Sequence, residues 1–335
     1  MELSISVVMP VYNSVRYVAE SVYAVLAQTV SALELIICDD CSNDGSWELL
    51  QKLAKEDKRI KLLRSEANTG SAKLPREIAV KHARAAWICW IDSDDLVPPN
   101  YLESLFRRAM ETDADCVCSR MEAFNPDGAV QYSLPPDRLF DYSKLVTGRE
   151  ACMMTIGIGW GLNANGFLVR RNLWLNTSTF LCSEVTLMNA DDFTTREILL
   201  SCRKVAFIDV PYAYRLHGDS ITKKASVKLF EPLMTDCMVI DMLKTHFGED
   251  SEECKLGYSQ LMVHYISSLR IYVTKNRMLC TNDKVEAKCI LTKAWRYMNI
   301  RMMSSSIKIS TGKRILLLFP PAISIFLVKI LHVFK

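Results

Sequence analysis

At 335 residues, 50% hydrophobic and 24% charged, the chain is long enough for one large globular domain or two smaller ones with a substantial core. A formal net charge of +3 is too mild to suggest a nucleic-acid partner, which calls for Lys and Arg clustered on one face. Twelve cysteines argue against a disulfide scaffold, because Cys38, Cys89, Cys116, Cys118 and Cys202 lie inside apolar runs and no leader-like segment precedes them. They are expected as small buried hydrophobes in a cytoplasmic protein, and Cys38-x-x-Cys41 lacks the second pair that zinc would need.

The first 120 residues alternate in kind. ISVVMPVYN (5–13) is a continuous apolar run suited to a strand buried on both faces, and a helix is expected from Val15 to Gln28. LELIICDDCSNDGS (33–46) is a second strand ending in acids and a turn, followed by a helix over Trp47 to Lys55. RIKLLRS is a third strand, and EANTGSAKLPREIAVKHARAAW passes from a glycine-bearing loop into a helix. WICWID is a fourth strand, a helix follows from Pro99 to Glu111, and ADCVCSRM is a fifth strand. Alternation of this kind predicts an α/β doubly wound, mostly parallel sheet whose ligand crevice lies at the carboxyl ends of the strands.

The residues at those ends are acidic: Asp39, Asp40 and Asp44 after the second strand, and Asp92, Asp94 and Asp95 after the fourth. One of them can be explained as a helix cap or turn holder, Asp94 or Asp95 before the Pro99 helix and Asp44 at Gly45. Three acids within four positions repel one another, and each raises its neighbour's pKa unless a cation offsets it. Asp-x-Asp offers hard oxygens without a full protein cage, which suits Mg²⁺ or Mn²⁺ completed by water and the phosphates of a nucleoside diphosphate. Neither a P-loop nor G-x-G-x-x-G follows the first strand.

In this order, SVVMPVYN, CDDCSNDGS, NTGSAKLPR and WIDSDDLVPPN resemble the motifs of the family 2 inverting nucleotide-sugar glycosyltransferases, GT-A enzymes that build bacterial surface polysaccharides. The resemblance covers residues 4–222 and implies a nucleotide site. Pro10 and Tyr12 would line the base beside Asn13, and Asp40 would hydrogen-bond the base with Asp39 or Asp44 near it. Ser93, Lys73 and Arg76 would attend the nucleotide diphosphate, Asp92 would meet ribose or metal, and Asp94 would hold the metal. Cys41 departs from the family's usual Gly.

Inverting transfer needs a carboxylate that takes the acceptor hydroxyl's proton, and the Asp-x-Asp acids are committed to the metal side. Asp191 or Asp192, before an expected helix and strand, is the candidate; the family pattern favours Asp191 and has Glu where Ala190 stands. Both are also suited to cap that helix. His217 matches the family histidine that reaches the metal or diphosphate, and Arg215 is either a cation near the leaving group or a structural ion-pair partner. Trp160 suits a sugar-stacking platform or the core.

From Val227 the chain reads as a helical extension to residue 312, so the expected domains are 1–225, 226–312 and 313–335. RILLLFPPAISIFLVKILHVFK (314–335) is apolar, broken by Pro320 and Pro321 and preceded by Lys308 and Lys313. A membrane-interface segment fits it better than a span, with packing on the protein's own core as the alternative. The reading is a metal-dependent transferase at the inner face of the membrane, moving a sugar from a UDP-type donor to a saccharide or lipid-linked acceptor. The alternatives are a sugar-phosphate nucleotidyltransferase and a non-catalytic saccharide- or nucleotide-binding module.

Overall fold

The computed structural model describes residues 4–135, 140–156, 166–177, 190–217, 225–304 and 309–331. They fall into two compact units, a sheet-bearing one ending at His217 and a helical one that holds residues 225–331.

The sheet unit begins with β1 (Ile5–Val11), α1 (Val18–Leu26), β2 (Leu33–Asp39), α2 (Ser46–Glu56), β3 (Ile60–Arg64), α3 (Lys73–His82), β4 (Trp87–Trp90) and α4 (Tyr101–Thr112). β1 and β2 are buried at every position, the reason their sequences are mainly apolar rather than alternating, and the buried Ser6 and Glu34 are paired by a hydrogen bond from Ser6 Oγ to Glu34 Oε1 at 2.7 Å. β5 (Cys116–Phe124), β6 (Val130–Leu134), β7 (Leu145–Val146), α5 (Gly148–Met154), β8 (Phe167–Arg170), α6 (Arg171–Leu175), α7 (Ala190–Ser201) and β9 (Val205–Arg215) follow.

The nine-stranded sheet runs β3-β2-β1-β4-β8-β5-β9-β7, with β6 on β5. β3, β2, β1 and β4 are mutually parallel, as their alternation with helices predicts. Beyond them β8 is antiparallel and lies between β4 and β5, so the sheet is mixed in its second half. β9 returns parallel to β5, and its register jumps between Ser119 and Arg120 where Pro211 enters, a residue that cannot donate to a regular ladder. Past β4, Leu96 exchanges backbone hydrogen bonds with Ala213 of β9 at 3.0 and 2.9 Å, which draws the acidic segment 92–95 against the end of β9.

The helical unit comprises α8 (Pro232–Phe247), α9 (Glu252–Lys275), α10 (Thr281–Tyr297), α11 (Thr311–Leu317) and α12 (Pro321–Leu331). Its core contains Phe230, Leu233, Ile240, Tyr258, Leu261, Tyr265 and Leu291, joined by Leu316, Leu317, Ile325 and Val328. The apolar stretch at 311–331 is thus a pair of helices with one face in this core. No helix among the described residues is long and apolar enough to cross a membrane.

Candidate active site

The site is assembled in the sheet unit from the loops after β1, β2 and β4, the start of α7 and the end of β9. The loop after β1 is clamped by the loop after β2. Asn13 takes a left-handed conformation (φ 49°), its N–H donates to Ser42 Oγ at 2.9 Å and its Oδ1 accepts from Asn43 N at 2.9 Å. Asp44 accepts from Val15 N and Ser46 N, both at 3.0 Å, and from Ser46 Oγ at 2.6 Å. Against the opposing effect of burial, those bonds hold its carboxyl below the usual range. Asp44 therefore works as a clasp between loops, the turn-holding role open to it from the sequence. Ser93 Oγ lies 2.9 Å from Ser14 Oγ and ties the loop after β4 to the same clasp.

Asp39 and Asp40 are buried at the end of β2. Asp39 Oδ2 receives Ser42 N at 3.1 Å and the Arg64 guanidinium at 3.1 Å, and Asp40 Oδ2 receives Thr69 N and Thr69 Oγ1 at 3.0 Å each. The Oδ1 atoms of both residues are buried without a hydrogen-bond partner. Such acceptors are costly unless a donor reaches them, as an N–H of a nucleobase would. Tyr12, exposed at the mouth of β1, supplies an aromatic face nearby in the chain, directly after Pro10 and Val11 in the buried strand. Cys41 occupies a left-handed conformation (φ 61°), the reason a glycine suits this turn, and its thiol donates to Ser65 O at 3.1 Å.

Arg76 and Lys73 lie buried on α3. Lys73 Nζ pairs with Glu77 at 2.8 Å one helical turn on. The Arg76 guanidinium is stacked on the Trp90 ring, with Nη2 3.7 Å from Asp92 Oδ1, and its Nε is buried without a partner. Burial pushes Arg76 down to about 10, opposed by the negative charges of Asp92 and Asp191. Asp92 Oδ1 also accepts from Trp90 Nε1 at 2.6 Å, and Asp92 N donates to Tyr212 Oη at 3.1 Å.

The remaining two acids have different surroundings. Asp95 is fully buried, accepting from Tyr212 Oη at 2.7 Å and from Arg215 N at 2.8 Å; burial and then the charges of Asp94 and Asp92 raise its pKa strongly. It anchors the acidic segment to β9. Neither Asp94 nor Asp95 caps α4, whose N-cap is Asn100. Asp94 is partly exposed, and its Oδ2 lies 2.8 Å from His217 Nε2, while His217 Nδ1 is buried without a partner and its ring packs 4.9 Å from Tyr17. Arg215 pairs with Glu20 at 2.7 Å and donates through Nε to Asp94 O at 2.8 Å, the structural option of its two readings.

Asp191 and Asp192 occupy the first turn of α7, where the helix dipole favours negative charge. Burial first, then the charge of Asp192, raise Asp191 to about 7 against the attraction of Arg76, with Asp92 adding to the rise. A carboxyl titrating there can take and hold a proton near neutrality. Among the described residues no three acids, histidines or cysteines form a metal cluster, but Asp94 and His217 offer a convergent oxygen and nitrogen. Trp160 lies outside the described residues.

Trp90, Tyr212, Thr69 and Tyr17 complete the site without having been singled out in the sequence. Tyr212 had a signal: two-residue alternation along VPYAYR puts it on the core face of β9.

Residues 6–168 match the glycosyl transferase family 2 model. Along 290 residues the chain is 27% identical to the Streptococcus pneumoniae glycosyltransferase GlyG, covering 80% of this chain and 89% of that protein. Over 142 residues it is 32% identical to WfgD of Escherichia coli, a UDP-Glc:α-D-GlcNAc-diphosphoundecaprenol β-1,3-glucosyltransferase, covering 42% of this chain and 54% of that protein. The crystal structure of Staphylococcus aureus TarS 1–349 with UDP-GlcNAc superposes with a TM-score of 0.69 at 17% identity, covering 96% of this chain and 88% of that one. That likeness extends the agreement in fold, GT-A with a helical C-terminal region, across both units.

Proposed function

The chain belongs to glycosyl transferase family 2 through residues 6–168, and from that premise we propose that it moves a sugar from a UDP-sugar to a saccharide or lipid-linked saccharide acceptor with inversion, in the making of a surface polysaccharide. The single observation that carries the mechanism is Asp191: a carboxyl raised to about 7 at a helix N-terminus, coupled electrostatically to Arg76 and Asp92. WfgD, named for a UDP-Glc donor and a diphosphoundecaprenol acceptor, and TarS, crystallised with UDP-GlcNAc, support the choice of donor and acceptor class.

In this reading the orphaned Oδ1 atoms of Asp39 and Asp40 receive the donor's base and Tyr12 covers it. Asp191 takes the proton of the acceptor hydroxyl as that oxygen bonds to the anomeric carbon and the diphosphate departs. Asp192 is its like-charged neighbour, raising its basicity. Asp94 and His217 would hold a divalent ion, which supplies positive charge to the leaving diphosphate. The mixed oxygen and nitrogen pair suits Mn²⁺ better than Mg²⁺, the harder ion.

The deciding experiment is calorimetric titration of UDP, GDP and TDP with Mn²⁺ or chelator, in wild type, Asp94→Ala and Asp191→Asn, alongside turnover of UDP-sugars. UDP binding that needs Mn²⁺ and Asp94, with Asp191→Asn retaining binding but losing turnover, is the expected result. Binding of none of the three nucleotides would sink the proposal.

A further inference from the structure

The outward side of the α11 and α12 pair is unlike the rest of the helical unit. α11 and α12 send Leu316, Leu317, Ile325 and Val328 into the core, while Ile315, Leu318, Phe319, Ile323, Phe326 and Ile330 stay exposed, Leu318 at 61% and Phe326 at 59%. Ile323, Phe326 and Ile330 are three and four residues apart and so share one face of α12. The corner between the helices is fixed: Ser324 Oγ lies 2.7 Å from Leu316 O and 3.0 Å from Phe319 O, and Trp295 Nε1 donates to Leu317 O at 3.0 Å. These side chains are therefore presented by an ordered element whose opposite face is already packed. A concentration of this many large apolar groups along a short stretch is unusual for a free surface.

Charge identifies what covers it. Lys313 and Arg314 stand on α11 and Lys329 is exposed on α12, and the sequence from Arg301 to Lys335 contains no Asp or Glu. A second copy meeting this face through two-fold symmetry would set these cations against themselves with no acid to offset them. An anionic lipid surface satisfies both features, taking the apolar side chains into the acyl boundary and the Lys and Arg heads among the phosphates. The eleven residues of α12 reach only about 16 Å, roughly half a bilayer core, so insertion is shallow.

We propose that the exposed face of α11 and α12 is a membrane-interface surface that seats the protein on an anionic bilayer. A lipid-linked acceptor would then be met in two dimensions, but the surface does not depend on which reaction the sheet unit performs.

The test is vesicle flotation of the full chain with phosphatidylcholine alone and with about 30% phosphatidylglycerol, at low salt and about 0.5 M salt. Phe326→Asp/Ile330→Asp and Lys313→Glu/Lys329→Glu are compared, with thermal melts to verify folding and UDP titration in the same samples. Wild type should float with anionic vesicles at least about tenfold better than with neutral ones, and each double variant should lose at least about tenfold. Should the aspartate variant unfold, the charge-reversal variant, which alters only exposed cations, decides alone. No flotation of wild type, or equal flotation of wild type and the folded variants, overturns the proposal. So does a concentration-dependent dimer abolished by Phe326→Asp/Ile330→Asp, which would assign the face to a second copy. Wild type that fails to float yet still binds UDP rejects the membrane surface while leaving the transferase reading in place.

Discussion

Arg76 and Asp92, from separate sequence motifs, meet with Nη2 3.7 Å from Oδ1 while the guanidinium lies on the indole of Trp90, whose Nε1 holds the same carboxylate oxygen at 2.6 Å. One buried cation thereby links the acid after β4 to the acid on α7, since its charge also acts on Asp191. Arg76→Met keeps a side chain on Trp90 but withdraws that charge. The expected result is a further rise in the Asp191 pKa, read as a shift of the activity profile toward higher pH, with kcat/KM at pH 7 reduced by about tenfold or more. An unmoved pH profile would show that Arg76 does not act on Asp191.

The pH dependence itself has a definite sign. Asp191 serves as base only when ionised, and burial with Asp192 beside it raises its pKa to about 7. Activity should therefore climb as pH rises through about 7 and fall below it. Asp192→Asn removes the like-charged neighbour and should move that limb to lower pH, by about one unit if the pair interacts as closely spaced carboxylates do. Rate profiles of the two proteins decide; coincident limbs would assign the titration to another group.

The same shift acts on stability. A carboxyl whose pKa is raised on folding contributes stability that is present below its unfolded value and lost as pH rises through about 7. Asp191→Asn has no charge to bury, so it should melt higher than wild type above pH 7, by about 2 °C or more, with the difference shrinking toward pH 4. Gain in stability together with loss of turnover is the pattern expected of a strained functional carboxylate.

Much of this was legible from the chain. Strands β1, β2 and β4 are buried at every position and mainly apolar because they lie inside a parallel array, and that same pattern put the acids at the carboxyl ends of β2 and β4. β8 was not legible: FLVR is four residues, too short for periodicity to separate strand from helix, and its antiparallel place between β4 and β5 is decided by long-range pairing. The division of labour among the acids was hidden for a similar reason. Asp94 and Asp95 are neighbours of identical type, and only the return of β9, with Tyr212 and Arg215, makes one a buried anchor and leaves the other facing His217. Asp44 holds its own turn through Ser46, as local sequence allows, but became a clasp because Val15 arrives from the loop after β1, which no local pattern aligns with it.

Cys41 offers a backbone test. Its φ of 61° lies in the left-handed region, which costs a residue with a β-carbon roughly 1–2 kcal/mol and a β-branched one more. Cys41→Val should lower Tm, whereas Cys41→Gly should match or exceed wild type, the relief being offset in part by loss of the thiol bond to Ser65 O. Differential melting of the three proteins checks the order, and a valine variant as stable as the glycine one would contradict it.

The anchor role of Asp95 predicts an effect at a distance from any ligand. Tyr212 Oη donates to Asp95 Oδ2 at 2.7 Å and accepts from Asp92 N at 3.1 Å, so Tyr212→Phe strips partners from a buried carboxyl and a backbone N–H in one step. An unsatisfied buried group costs about 1–3 kcal/mol, enough to lower Tm by several degrees. Because the same hydroxyl ties Asp92 to Asp95 on either side of Asp94, metal-dependent UDP binding should weaken as well, although Tyr212 touches neither metal nor nucleotide in the proposed arrangement. Wild-type UDP affinity with a lowered Tm would confine Tyr212 to stability; loss of both would make the β9 strand a positioning element for the acids that follow β4.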